Sequence, residues 1–188
     1  GTTRVRTAAP LARDLARVRK LQALAGRVSN LLATERRADR RVAALLAALR
    51  PPELAAVFRL LPPPQRIKLV RALDPARAAE IIEGLPRGLR REVLEELPPK
   101  EAAEILRQLS SDDSADVLLE LDPKRARAIL DMLSPEERER AARLISYPDD
   151  TAGGRMATEF VAATEDMTVQ EAIERLRKAA PYAESVYY

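Results

Sequence analysis

Four carboxylates, Glu80, Glu92, Glu104 and Asp116, recur at a spacing of twelve residues. Carboxylate oxygens are the donors that hard divalent cations such as Mg²⁺ and Ca²⁺ prefer. A row of them on one surface repels itself unless a cation lies between. The composition narrows the chemistry further. The chain has no Cys and no His, which excludes disulfides, thiolate sites, Ser-His-Asp arrangements and nearly every zinc site. No nucleophile-base pair, phosphate loop or complete metal cage stands out, and Gly153-Gly154 alone is too weak a sign of one. Binding or regulation fits these residues better than catalysis, and the chain reads as not an enzyme.

The same carboxylates also have structural uses. Asp112 and Asp113 fall in the first turn of an expected helix, where negative charge favours the dipole. Ser110 with Asp113 has the spacing of a capping box. Glu80 has Arg77 and Arg71 nearby as ion-pair partners.

The elements that carry these residues are set by the same period. Leu49, Leu61, Leu73, Leu85, Leu97, Leu109, Leu121 and Leu133 stand twelve apart. Apolar residues precede each by three (Leu46, Phe58, Val70, Ile82) and by four (Leu45, Val57, Leu69, Ile81), and the pattern continues to Leu130 and Ile129. That spacing marks one face of a short helix. Pro51, Pro63, Pro75, Pro99, Pro123 and Pro135 punctuate it, because proline suits the first helical position, where its missing N–H costs nothing. Asp74, Asp122 and Ser134 just before three of these prolines suit N-caps. Each helix is then about nine or ten residues long, too short to persist alone in water. Such helices must stack, so the reading is an all-α, right-handed superhelix (solenoid) with a helix period of about twelve residues, by analogy with armadillo and tetratricopeptide architectures.

Charge is uneven along the chain. Residues 1–50 carry 12 Lys/Arg against Asp14, Glu35 and Asp39, although the net charge of all 188 residues is only +3. A basic head suits nucleic acid or anionic lipid, and equally a solvated helix face with a frayed arm. Aromatic stacking residues and docking motifs are lacking there, which argues against nucleic acid. Residues 1–10 read as disordered, with an amphipathic helix around Leu15–Leu24 and separate helices around Leu31–Leu32 and Val42–Leu46. No apolar run reaches the length that spans a bilayer.

After Ile145 the period stops. Residues 147–154 are turn-rich, and residues 159–162 suit an extended piece. Thr168 with Glu171 forms a capping box for a helix running to about Ala179. Ser185-Val186-Tyr187-Tyr188 has strand composition. A strand without a partner suggests truncation inside a second domain.

The run YPDDTAGGRMATEF at 147–160, followed by DMTVQEAIERLRKAAPYAESVYY at 166–188, resembles the junction between the N domain and the CBS domain of MgtE magnesium transporters. The preceding helical repeats resemble the MgtE N domain, although flagellar-motor switch proteins of the FliG type use similar repeats and supply the alternative of a protein-interaction scaffold. Arg155 and Ala157 stand where the family has Leu and Thr. The resemblance covers roughly residues 30–188 and implies the helical domain at 29–146 and the junction with the first part of a CBS domain at 147–188, preceded by the basic arm or helix at 1–28. It implies a cytoplasmic Mg²⁺ sensor that gates magnesium transport through a membrane pore. Its partners would be the CBS and transmembrane domains of the same, homodimeric, full-length protein. Mg²⁺ would be held by Glu80, Asp112, Asp116 and the carbonyl of Gly154.

Overall fold

The computed structural model describes residues 8–35, 38–146, 151 and 163–179. Eleven helices occur among them: α1 Ala8–Thr34, α2 Asp39–Leu46, α3 Pro51–Leu60, α4 Pro63–Ala72, α5 Pro75–Glu83, α6 Arg87–Glu96, α7 Pro99–Leu106, α8 Ser111–Glu120, α9 Pro123–Leu130, α10 Pro135–Ile145 and α11 Val169–Ala179. No strand is present among the described residues. The extended pieces expected at 159–162 and 185–188 lie outside them.

The punctuation acts as expected. Pro51, Pro63, Pro75, Pro99, Pro123 and Pro135 each open a helix. Asp74 accepts from the Arg77 backbone N–H at 3.0 Å, and Asp122 from that of Lys124 at 2.9 Å. Ser134 and Glu137 form a reciprocal capping box, as do Thr168 and Glu171. These side chains satisfy backbone donors that a helix start leaves unpaired. The twelve-residue leucines mostly close each unit into the interior: Leu61, Leu85, Leu97, Leu109, Leu121 and Leu133 are buried.

The first compact unit spans Gly1–Glu101. In it α3 packs against α1 and α5, and α2 packs against α4. Alternate helices therefore stack on one another. Phe58, Leu54, Leu46, Leu69, Ile81 and Ile82 fill the space between them with almost no exposure. Each such burial stabilises the fold by roughly 1.5–3 kcal/mol relative to exposure, which is what lets helices of this length persist. Gly84 at the end of α5 is required by close approach: a Cβ there would lie 2.7 Å from that of Ala55 in α3.

The second unit spans Ala102–Tyr188. Its principal contact is between α8 and α10, again one helix apart in sequence, with α9 against α8. Ala115, Val117 and Leu118 of α8 and Ala141 and Leu144 of α10 are buried.

The N-terminal region departs from expectation. The helices expected near Leu15–Leu24 and Leu31–Leu32 are one continuous helix, α1, and it already begins at Ala8, inside the stretch expected to be disordered. The one glycine between the two expected helices is Gly26, which costs about 1 kcal/mol but does not break a helix. Pro10 stands in the first turn, where its missing N–H has no intrahelical partner to lose.

Candidate metal centre

Helices α5 and α8 carry the candidate ligands that the structure describes. Glu80 lies on the last half of α5, with its side chain about one-third exposed (32%). Arg77, one turn earlier, forms an ion pair with it. The same guanidinium donates to the carbonyls of Leu46 and Leu49, both at 2.9 Å. Those carbonyls belong to the end of α2 and the turn after it, where no glycine cap is available. Arg77 thus supplies the cap that the local sequence lacks. Glu80 also lines a shallow surface pocket with Pro51, Pro52, Ala55, Arg59, Glu83 and Gly84. Arg71, the other partner considered for Glu80, pairs with Glu101 instead, at 2.9 Å.

Glu92 on α6 faces Arg66 at 3.6 Å. Arg66 in turn donates to the Leu61 carbonyl at 3.1 Å and lies over the Phe58 ring, 5.7 Å from its centre. In the first unit, then, the carboxylates of the twelve-residue series are matched to arginines that also hold backbone carbonyls.

Carboxylates in the second unit have different surroundings. Asp112, Asp113 and Asp116 lie on α8, and all three are half-buried. Asp113 is the one engaged at the cap. Its N–H donates to the Ser110 hydroxyl at 3.3 Å, and that hydroxyl donates to its carboxylate at 2.9 Å. The Ser110 backbone takes no part, so this is half of the expected box. Asp112 keeps one carboxylate oxygen, Oδ1, buried without a hydrogen-bond partner. Asp116 follows Asp112 by four residues, which places the two on one helix face with their Cβ atoms about 5–6 Å apart. Glu104 is half-buried on α7. Gly154 lies outside the described residues.

A buried carboxylate oxygen without a donor loses its hydration and gains nothing in return, at about 1–3 kcal/mol. Asp112 therefore has acceptor capacity that no described donor uses. Glu80 has less, because Arg77 already neutralises it. Among the described residues no three carboxylates gather closely enough to cage an ion. Of the twelve-residue series, Glu80 and Glu92 belong to the first compact unit, and Glu104 and Asp116 to the second.

Sequence reasoning missed the arginine caps. The signal for Arg77 was the run Ala47-Ala48-Leu49 after α2, which offers the helix end no glycine. Glu53 and Glu137 were also passed over as cap partners. The Arg50 backbone N–H, with help from the Arg50 and Arg17 side chains, holds the Glu53 carboxyl below its ordinary value. The Ser134 backbone N–H, then its hydroxyl and Arg107, do the same for Glu137 against an opposing effect of burial.

Comparison with known proteins agrees with this architecture. The chain is 48% identical over 54 residues to the magnesium transporter MgtE of Thermus thermophilus, and 42% identical over 53 residues to that of Enterococcus faecalis. Those matches cover 29% and 28% of this chain but only 12% of either relative. Two solved structures share the fold. The soluble part of a magnesium transporter superposes with a TM-score of 0.74 at 27% identity, over 89% of this chain and 65% of that one. The cytosolic domain of the Mg²⁺ channel MgtE in complex with ATP gives 0.72 at 38% identity, over 77% of this chain and 59% of that one. These relatives are transporters and their cytosolic parts, not enzymes. The model of the MgtE intracellular N domain matches residues 29–150, most of the chain, and the protein belongs to that family.

Proposed function

We propose that this chain is the Mg²⁺-sensing regulatory part of a magnesium transporter, acting on the cytoplasmic side of the membrane. The observation that supports it best is the unpartnered, buried Oδ1 of Asp112, with Asp116 on the same helix face. A bound Mg²⁺ would supply positive charge shared between these carboxylates and donors of an adjoining CBS domain. Glu80 and the Gly154 carbonyl would serve as further ligands.

The gating logic follows from charge. Carboxylates facing each other across two domains repel, so the compact arrangement loses support when the ion is scarce. A ligand that binds the compact state better shifts the population toward it. The compact state would hold the pore of a homodimeric transporter shut, and separation of the helical domain would allow it to open. No helix among the described residues is long and apolar enough to cross a membrane, so conduction itself would belong to other parts of the full-length protein.

Limited proteolysis of the full-length transporter, with and without millimolar Mg²⁺, tests this reading. Mg²⁺ should protect the region joining the helical domain to its neighbour, and Asp112→Ala and Glu80→Ala should weaken that protection. Identical cleavage in every sample would count against a sensor.

A further inference from the structure

The N-terminal half of α1 has a construction that the sensor role does not use. Residues 13–20 are all exposed. Within them Arg13, Arg17, Arg19 and Lys20 face a single acid, Asp14. Leu15 is 52% exposed and Val18 51%. Three residues apart on a helix, they are neighbours on one face. That face continues the apolar stripe of the second half of α1, where Ala25, Val28 and Leu32 are buried against a body formed by α2, α3 and α4.

We propose that this half of α1 is a docking site for an anionic lipid surface. Exposed apolar residues along one face of a cationic helix are the chemistry that lies in a membrane interface, the apolar side chains entering the acyl boundary and the cations meeting headgroup phosphates. The helix is already formed, because its second half is anchored by burial, so binding carries little ordering cost. Arg17 is tethered to Glu53 of α3 at 3.0 Å. Arg13, Arg19 and Lys20 have no ion pair among the described residues, and their charge is open to a partner. Nucleic acid fits less well. The helix Ala8–Thr34 contains no aromatic residue on which a base could stack, and a purely phosphate-directed contact would leave Leu15 and Val18 unused.

Co-sedimentation of the 188-residue chain with vesicles tests the proposal. One set is phosphatidylcholine alone, and the other contains phosphatidylglycerol as well. Each cation near an anionic surface multiplies binding by roughly fivefold, so the anionic vesicles should bind at least about tenfold more protein, less at high salt. Leu15→Gln with Val18→Gln should lower that binding about tenfold, and Arg13→Gln with Arg19→Gln and Lys20→Gln by at least as much, with helicity unchanged by circular dichroism. Equal binding to both vesicle types overturns the proposal, and so does full binding by the Leu15/Val18 variant. Tighter binding to duplex DNA that ignores the Leu15/Val18 change would assign the surface to nucleic acid instead. Should either multiple variant lose helicity, the comparison of neutral with anionic vesicles for the unaltered chain still decides.

Discussion

The Arg77 guanidinium holds the Glu80 carboxylate of its own helix while donating to the Leu46 and Leu49 carbonyls at the end of α2. One side chain thus joins a candidate sensing residue to the stack of helices beneath it. Arg77→Ala removes the cap and frees Glu80 together. Loss of hydrogen bonds from a charged donor at half-buried carbonyls should cost about 1–3 kcal/mol. Arg77→Lys should recover only part of it, since an ammonium cannot reproduce the planar fork. Urea denaturation of the three proteins measures both effects.

Gly84 makes a sharper test of how closely α3 and α5 approach. The Cβ of Gly84→Ala would meet Ala55 Cβ at 2.7 Å, and alanine has no flexible end to swing aside. The two helices must separate, at about 1–3 kcal/mol. Ala55→Gly in the same chain removes the obstructing atom and should return part of that loss. Thermal melts of the single and double variants give the comparison.

Acid should weaken the α10 cap in a defined direction. The Glu137 carboxyl is held below its ordinary 4.5 by the Ser134 backbone N–H first, then by the Ser134 hydroxyl and Arg107. Its charged form is favoured in the folded state. The resulting stabilisation is fully present above the ordinary value and is lost as pH falls through the lower folded one. Glu137→Gln should therefore be less stable than the unaltered protein near neutrality, and the difference should shrink in acid. Denaturation midpoints taken across the carboxylate range read this directly.

Asp112 should show function and stability pulling apart. Asp112→Ala discards an oxygen without a hydrogen-bond partner, but also a favourable charge in the first turn of α8, a loss of about 0.3–1 kcal/mol. The variant should be at least as stable as the unaltered chain without Mg²⁺. A clear loss of stability would mean that the carboxylate supports the fold rather than awaiting a ligand.

Legibility in the sequence divides along a physical line. Local chemistry was readable. Proline at a first helical position, Asp74 and Ser134 as caps, and Thr168 with Glu171 all act within a few residues, and the helix starts fall where those residues place them. The pairing of Glu80 with Arg77 was likewise within reach of spacing alone. Arg77 with Leu46 and Leu49 was not, because 31 and 28 residues separate them and only the stacking of alternate helices brings them together. The unity of α1 was hidden for a different reason. Gly26 and Pro10 look like breaks in a sequence, while a glycine in mid-helix and a proline in the first turn are both tolerated. The spacing of Ser110 and Asp113 already marked Asp113 as the cap partner, and only the structure shows that its neighbour Asp112 keeps a buried oxygen without a hydrogen-bond partner.

The most direct measurement of the central claim is the distance between the helical domain and the adjoining domain in the full-length protein, followed by fluorescence energy transfer as Mg²⁺ is raised. The account predicts a saturable shortening whose midpoint moves to higher Mg²⁺ in Asp112→Ala and in Glu80→Ala. A distance that ignores Mg²⁺, or a midpoint untouched by both substitutions, would contradict it.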